Sequence, residues 1–380
     1  MVEDLYSSRH PVDPPRGEED RLAWLRLLRS RRVGPATFYR LLGEYGSAAA
    51  ALEALPEVAK AAGVEDYRAC PIEVAMAERK AARLAGARMI AFGEADYPAD
   101  LAQVDAPPPL LWALGDPGLL ARPSVALVGA RNASSLGLRM ARALSEGLGK
   151  AGLVVTSGLA RGIDTAAHLA ALPTGTIAVM AGGVDVVYPP ENAVLAQEIA
   201  DRGLRLSDQP MGLVPQARHF PRRNRVVAGL ARAVVVVEAA AQSGSLITAR
   251  AALDEGREVM AVPGHPMDAR ASGCNMLLRD GATLVRGADD VVEALSAAPV
   301  ARPVRMAVPM APQAEPPRRS LGETAALHQR ILDRLGPSPL AEDQLIRDLG
   351  IPASMAGPEL LNLELDGRIE RRAGGLICLI

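Results

Sequence analysis

The feature that most constrains the fold is an alternation of short apolar segments with amphipathic stretches and glycine-rich turns across residues 122–297. The apolar segments have the length and composition of buried strands, and the amphipathic stretches repeat at helical spacing. The predicted strands are Ser124–Val128, Leu153–Thr156, Thr176–Met180, Ala233–Val237, Glu258–Val262 and Ala282–Val285. Strict alternation of this kind predicts an α/β fold, in which helices cover both faces of a mostly parallel sheet.

The glycine-rich turns follow the predicted strands, so we expect them at the carboxyl edge of the sheet. The helices predicted after these turns are 136–150, a short helix through His168, 193–201 and 246–255. Ligands of open α/β sheets bind outside the carboxyl ends of the strands. The turns are therefore the first place to look for a binding site.

The remainder of the chain divides by composition. We expect a disordered tail over 1–19, a helical domain over 20–75, an extended α/β domain over 76–297, a proline-rich linker over 298–321 and a winged helix over 322–380.

In the helical domain, two short helices flank Val33-Gly34-Pro35. This pattern indicates a helix-hairpin-helix unit, whose turn amides suit the phosphates of a nucleic acid. A plain helical packing module is the alternative. Near the end of the chain, three predicted helices (327–335, 341–349 and 358–365) precede a two-stranded hairpin. That order is typical of a winged helix, a module that contacts DNA or protein.

Composition excludes several classes of function. Cys70, Cys274 and Cys378 are far apart and lack CxxC or Cys/His spacing, so neither a disulfide framework nor a zinc site is expected. The longest apolar run falls short of the ~18 residues of a membrane helix, and the N-terminus lacks a signal-peptide pattern. We expect a cytoplasmic protein that needs no membrane, metal or cofactor. The net charge of −2 still leaves room for a local basic site.

The turn after the first predicted strand is a candidate anion site. It spans residues 129–135, includes Arg131, Asn132 and Ser134, and precedes a helix whose N-terminal amides favour an anion. It matches neither GxGxxG nor the phosphate-loop pattern GxxxxGK[ST], so it does not indicate a dinucleotide or nucleoside triphosphate site. The alternative is that Arg131 pairs with a carboxylate.

A second candidate turn contains Ser157, Gly158 and Arg161. It leads into a helix on which Asp164 and His168 share one face. These two side chains form either a catalytic pair or, as we favour, a structural arrangement in which Asp164 accepts hydrogen bonds from nearby amides.

A third candidate turn contains Ser243, Gly244 and Ser245, after the most apolar strand. Small hydroxyl residues and glycine at a helix start make a concavity of phosphate size. Ordinary N-capping by Ser243 or Ser245 is the alternative.

The fourth candidate is a basic segment. No acidic residue occurs from Pro210 to Arg232, and the stretch holds one of only 3 phenylalanines in the chain. Its candidate contacts are Phe220, Arg222, Arg223, Asn224 and Arg225. Arginines that follow phosphates and a ring that stacks on a base are the requirements of single-stranded nucleic acid. The alternatives are a solvated basic face, or a buried Phe220 with arginines paired to carboxylates such as Glu238.

A long, ordered set of motifs extends over residues 20–297. The motifs are YPADL at 97–101, PPPLLWALGD at 107–116, VALVGAR at 125–131, SGLARGIDTAAH at 157–168, AVMAGGVDVVYPPEN at 178–192, FPRRNRVVAGL at 220–230, VVVEAAAQSGSLITARAAL at 235–253, AVPGHP at 261–266 and GCNMLLRDGA at 273–282. Together they resemble the DprA (Smf) family of bacterial DNA-processing proteins, and the tail resembles that family's winged helix. One departure is Gln209, where the family has an aromatic residue beside the acid that Asp208 retains.

The resemblance implies a Rossmann-like domain that binds single-stranded DNA without sequence preference and has no catalytic residues. It implies that the protein protects incoming DNA during natural transformation, loads the recombinase RecA and dimerises through this domain. It places a phosphate pocket at Arg131 and the basic segment 220–225. Two alternatives remain. One is a related nucleotide-hydrolysing enzyme; those enzymes have a PGGxGT motif, which the sequence AGGVD at 181–185 does not match. The other is a winged-helix regulator that senses a nucleotide.

Overall fold

A computed structural model describes residues 13–61, 64, 66–296, 321–336, 340–351, 356, 359–360, 362–364, 368–372 and 376–379. Four helices come first along the described chain: α1 (Glu18–Arg29), α2 (Pro35–Tyr45), α3 (Ala48–Ala61) and α4 (Ile72–Leu84). The Val33-Gly34-Pro35 turn joins α1 to α2, and Pro35 is the first residue of α2, where its fixed φ suits a helix start. Trp24 packs edge-on against Phe38 with ring centroids 5.0 Å apart. The predicted helical N-terminal domain is confirmed.

Nine strands in the described ranges form one sheet. In chain order they are β1 (Arg88–Ala91), β2 (Leu110–Gly115), β3 (Ser124–Gly129), β4 (Val154–Ser157), β5 (Thr176–Val179), β6 (Leu204–Ser207), β7 (Ala233–Glu238), β8 (Glu258–Ala261) and β9 (Thr283–Leu284). Their spatial order is β1-β2-β6-β5-β4-β3-β7-β8-β9. The pairs β1–β2 and β2–β6 are antiparallel and the others are parallel, as predicted for the main part of the sheet.

Seven helices follow the parallel strands within residues 66–296. They are α5 (Ser135–Lys150), α6 (Ile163–Ala171), α7 (Ala193–Arg202), α8 (His219–Leu230), α9 (Ser245–Asp254), α10 (Ser272–Arg279) and α11 (Ala288–Ser296). Successive residues of β3 point to opposite faces of the sheet. Val125 and Leu127 join a core with α5 and α6, whereas Ala126 and Val128 join a core that includes α8, α9 and the N-terminal helices. Both faces are therefore buried, as expected for a parallel sheet.

The chain changes direction in the sheet at β3. From β3 it adds β4, β5 and β6 on one side, then returns to place β7, β8 and β9 on the other. The turns after β3 and β7 consequently lead away from each other and leave a crevice at the carboxyl edge. Such a topological switch point is where doubly wound sheets bind ligands.

The C-terminal region has its own core, made of Leu327, Ile331, Leu345 and Ile377 among others. Its described elements are α12 (Leu321–Arg334), β10 (Leu340–Ala341), α13 (Glu342–Leu349), β11 (Ile369–Arg372) and β12 (Leu376–Leu379). The three strands pair in the order β10-β12-β11, which gives the wing of a winged helix. The third predicted helix is described only at 356, 359–360 and 362–364, which are helical.

Two predicted segments lie largely outside the described residues. Of the predicted tail over 1–19, residues 13–19 are described, and α1 already begins at Glu18. Of the predicted linker over 298–321, only residue 321 is described. None of the described helices is long and apolar enough to cross a membrane.

Candidate nucleic-acid interface

The crevice at the switch point holds a pocket of about 690 Å³. Its walls come from the turns after β3, β4, β7 and β8 and from one side of α8. Of the residues predicted as contacts, nine line it: Arg131, Asn132, Gly158, Phe220, Arg223, Asn224, Ser243, Gly244 and Ser245. Segments far apart in the sequence thus meet at one place, which is the place that the sheet topology indicates.

The turn after β3 presents Arg131 and Asn132 as exposed side chains at the pocket. Among the residues that the structure describes, no carboxylate pairs with Arg131, so the ion-pair alternative is not what the structure shows. Ser134 does not line the pocket. Its Oγ accepts the backbone N–H of Gly137 at 3.0 Å and donates to Glu238, which also accepts the N–H of Ser134 at 2.9 Å. Ser134 therefore holds the turn in place.

The basic segment forms α8, and its arginines point in different directions around the helix. Arg223 is buried and donates hydrogen bonds to the carbonyl oxygens of Gly158 and Val179, the latter at 3.2 Å. A Cβ at position 158 would collide with this guanidinium, so the close approach requires glycine. Burial lowers the pKa of Arg223, while the nearby Asp164 raises it. The guanidinium keeps its positive charge at neutral pH because arginine titrates far above that range.

The other two arginines pair with carboxylates. Arg222 donates from Nε to Oδ2 of the buried Asp208 at 2.7 Å. Arg225 lies 3.4 Å from Oε1 of Glu255, at the end of α9. Neither lines the pocket, and the carboxylates involved differ from Glu238, the partner that the sequence suggested. Each residue of a helix is rotated by about 100° from the one before it, so Arg223 faces a different side of α8 from Arg222 and Arg225. The three therefore cannot all face one strand of DNA.

Phe220 lies half-buried at the start of α8, close to two cations. The Cζ atoms of Arg131 and Arg223 are 5.6 and 5.8 Å from the centre of its ring. Distances below about 6 Å allow cation–π attraction. The ring also lines a second cavity of about 170 Å³, which contains the predicted contact Arg161. Phe220 therefore borders both cavities.

Asp164 and His168 serve the structure of the turn after β4. Asp164 Oδ2 accepts the backbone N–H groups of Gly158 at 3.1 Å and Ala160 at 3.2 Å, as the favoured interpretation predicted. Its pKa is raised by burial, against the lowering effect of Arg223. His168 is fully buried, and burial lowers its pKa to about 3. Ser157, also buried, donates to the carbonyl oxygen of Leu127 at 2.6 Å.

The first turn of α9 forms the opposite wall. Gly244 precedes the helix and provides no side-chain cap, while the hydroxyls of Ser243 and Ser245 lie 2.7 Å apart. Ser243 Oγ also accepts the N–H of Ser245 at 3.4 Å. Because this end of the helix carries the positive part of its dipole, it adds to the field of the two arginines.

Sequence reasoning missed Arg270 and Tyr188. Arg270 lines the pocket from the segment after β8 and pairs with Asp268 at 3.0 Å. Arg270 could have been predicted as a contact because it follows the carboxyl end of a predicted strand. Tyr188 lines the second cavity. No three His, Cys, Asp or Glu side chains within the described ranges are grouped as a metal site would require.

Comparisons with known proteins agree with this architecture. The family model of DNA recombination-mediator protein A matches residues 88–296. The model of the DprA-like N-terminal HHH domain matches residues 18–81, and that of the DprA winged helix domain matches residues 314–375.

Individual relatives are similar over much of the chain. The DNA processing protein DprA of Streptococcus pneumoniae is 46% identical over 198 residues, which cover 52% of this chain and 70% of that protein. The crystal structure of S. pneumoniae DprA matches with a TM-score of 0.59 at 36% identity, over 72% of this chain and 97% of that one.

A second solved structure concerns the single-stranded DNA binding mode of DNA processing protein A from Helicobacter pylori. It matches with a TM-score of 0.51 at 30% identity, over 55% of this chain and 95% of that one. Since the matching family model spans more than half of the 380 residues, and its matches follow the order of domains described above, the chain belongs to the DprA family of DNA-processing proteins.

Proposed function

We propose that the switch-point pocket binds single-stranded DNA without sequence preference. The observation that carries this proposal is that the ring of Phe220 lines the pocket beside two guanidinium groups, those of Arg131 and Arg223. A ring in that position offers a stacking surface to any base, and the cations attract the flanking phosphates. The H. pylori relative, whose structure is described by its single-stranded DNA binding mode, supports the same assignment.

Arg131 is the cation best suited to a phosphate. It is exposed and has no carboxylate partner in the described part of the chain, so a phosphate does not have to displace one. Arg223 is buried, and its charge acts on the pocket from the inner wall. Asn132, Asn224, Ser243 and Ser245 line the same volume and supply uncharged hydrogen-bonding groups. Arg270 adds a cation on the remaining side.

Selectivity for single strands follows from the same geometry. The bases of a duplex are already stacked and paired. They can stack on the ring of Phe220 only after the duplex has been unstacked, which costs free energy. An unpaired strand exposes its bases at no such cost.

We also propose that the chain acts without turnover. Asp164 and His168 both make hydrogen bonds to the turn after β4, and His168 makes another to Thr176 on β5. Asp185, in the segment that differs from the nucleotide-hydrolysing enzymes, accepts the N–H of Gly212 at 2.9 Å. These roles favour a binding protein over a hydrolase.

The wider role is proposed from the family. We propose that the chain loads RecA on bound DNA during natural transformation and acts as a dimer formed through the α/β domain. The description of the matching family as a recombination mediator supports a part in recombination. Assembly of RecA on single strands coated with a single-strand-binding protein, followed with and without this chain, tests that role. Light scattering tests the dimer.

The binding proposal is tested with an equilibrium filter assay, without metal or nucleotide. Labelled single strands of mixed sequence should be retained strongly, and the same sequences annealed as duplexes should be retained weakly. Incubation of the protein with nucleoside monophosphates should release no product. Equal retention of duplex and single strand, or nucleotide hydrolysis, would contradict the proposal.

A further inference from the structure

The wall of the second cavity contains an aromatic ring that the pocket described above does not use. Tyr188 lies in the segment between β5 and α7, next to the short helix that begins at Pro190. Its side chain is exposed, at 46% of its full accessible surface. In the described residues no hydrogen bond holds its hydroxyl. The ring thus lines a cavity of about 170 Å³ and stays exposed to solvent.

Tyr188 contacts Phe220 directly. The two ring centroids are 5.7 Å apart and the ring planes meet at 60°. The contact is edge to face, so bases stacked on the two rings would be tilted steeply relative to each other, as in a strand drawn out of its stacked form. Because Phe220 borders both recesses, Tyr188 extends its aromatic surface away from the first pocket and into the second.

Cations accompany this second ring as they do the first. Arg131 and Arg223 border both cavities, and Arg161 borders only the second. Arg161 lies 3.7 Å from Glu191, and both side chains are about 60% exposed. An exposed ion pair of that length contributes little free energy, so Arg161 is available to a phosphate.

We propose that Tyr188 is a second base-stacking platform, so that one DNA strand passes from the first pocket across Phe220 into the cavity bordered by Arg161. This inference rests on the proposed single-strand binding. It adds the path of the DNA strand across the protein and the number of bases that stack. A strand that occupies both recesses covers at least two stacked bases. Each stacked base contributes a sequence-independent share of the affinity.

The test is fluorescence anisotropy with a labelled poly-dT oligonucleotide long enough to cross both cavities. Tyr188→Ala should weaken binding by about 5- to 150-fold, the range that loss of one stacked base produces. Tyr188→Phe retains the ring and should bind like the wild type. On an oligonucleotide of the same length whose sugars carry no bases, Tyr188→Ala should bind like the wild type, because the phosphates are unchanged.

A double variant distinguishes a stacking role from simple support of Phe220. If Tyr188 stacks on a base of its own, adding Tyr188→Ala to Phe220→Ala should weaken poly-dT binding further. If Tyr188 only positions Phe220, the double variant should bind like Phe220→Ala, and the proposal is wrong. Thermal melts of every variant verify that each is folded.

The outcomes separate this inference from the proposed function. Wild-type affinity in Tyr188→Ala, together with weak binding in Phe220→Ala, would overturn the second platform and leave the first pocket intact. Failure of the wild type to bind poly-dT would overturn both.

Discussion

Phe220 is the residue whose role the sequence left most open, since a rare phenylalanine in a basic segment fits either a stacking surface or a core position. In the structure it is half-buried, touches Tyr188 and two guanidinium groups, and borders both cavities. The aliphatic residues later in α8, such as Val226 and Val227, form the part of the helix that enters the core. Phe220 is therefore available to a ligand.

For Phe220→Ala we expect a loss of about 1–3 kcal/mol in single-stranded DNA affinity, because a stacking surface is removed. The melting temperature should change little. Isothermal titration and thermal melts on the same preparation measure both quantities. A drop in stability of about 3–5 kcal/mol with unchanged affinity would instead mark Phe220 as a core residue.

His168 makes stability depend on pH. Its Nε2 accepts the N–H of Leu159 at 3.3 Å, and its Nδ1 lies 2.7 Å from Oγ1 of Thr176, which itself donates to Val155. The ring is therefore neutral, with its proton on Nδ1. Burial, reinforced by Arg223, lowers its pKa to about 3. An unfolded histidine has a pKa near 6.5, so below that pH the unfolded state takes up a proton that the folded state resists.

We predict that the free energy of unfolding falls as the pH is lowered from about 6.5 towards 3. Protonation of His168 in the unfolded state causes part of that fall. In His168→Gln the fall over this range should be shallower. The raised pKa of Asp164 acts in the opposite direction and is present in both proteins. His265→Gln, at an exposed site, is the control and should retain the wild-type slope. Parallel slopes in wild type and His168→Gln would refute this prediction.

At the scale of the elements, the sequence predicts the parallel part of the sheet well and its antiparallel edge poorly. Strands β3, β4, β5, β7, β8 and β9 are continuous apolar runs and were found within a few residues. Strands β1, β2 and β6 were not among the predicted strands. Strand β6 has a buried arginine, Arg205, between two leucines, which interrupts the apolar pattern. The pairing of β1 and β2 depends on contacts distant in sequence, which periodicity alone does not indicate.

The same limit applies to the candidate site. Arg131 was identified because it follows a buried strand at a helix start, and this local pattern decides its position. Part of the predicted basic segment lines the pocket. The direction of Arg223, away from Arg222 and Arg225, follows from the helix, and the ion pairs of the other two arginines depend on the distant carboxylates Asp208 and Glu255. Arg270 and Tyr188 lie in segments without a distinctive local composition, and only the folded chain brings them to the pockets.

The N-terminal helices are joined to the sheet through Glu78 on α4. This buried carboxylate accepts hydrogen bonds from Arg29 on α1 at 2.8 and 2.9 Å and from Nε1 of Trp112 on β2 at 2.8 Å. Three elements thus meet at one side chain. Removing one partner of a buried ion pair leaves an uncompensated charge.

We predict that Glu78→Ala destabilises the protein by about 3–5 kcal/mol, because Arg29 and the indole N–H lose their acceptor. Glu78→Gln keeps an acceptor and should cost less. Glu73→Ala, at an exposed position of the same helix, is the matched control. Urea unfolding measures the free energy of unfolding, and the fluorescence of Trp112, which bonds to Glu78, follows the transition at the site itself. A Glu78→Ala curve that overlies the control would contradict this account of the junction.

At the scale of the whole molecule, the winged helix has a hydrophobic core separate from the two cores of the sheet domain. Helix α12 touches α3, but the residues that line the two pockets all come from the segment 128–270. The proposed binding surface therefore contains no residue of the C-terminal region.

A chain that ends after residue 298 should accordingly keep the single-stranded DNA affinity of the full protein. Fluorescence anisotropy on both chains, with circular dichroism to verify folding, makes the comparison. A truncated chain that folds but has lost nearly all binding would place the main site in the winged helix.

The most direct test of the switch-point pocket is the salt dependence of poly-dT binding by Arg131→Ala. The control is Arg139→Ala, an exposed arginine on α5 that lies outside both cavities. A plot of log K against log salt should become shallower by about 0.7 for each lost phosphate contact with a single strand. We predict that Arg131→Ala binds more weakly, with a shallower slope and an unchanged melting temperature, while Arg139→Ala matches the wild type. Wild-type affinity and slope in Arg131→Ala would contradict the assignment of this pocket to DNA.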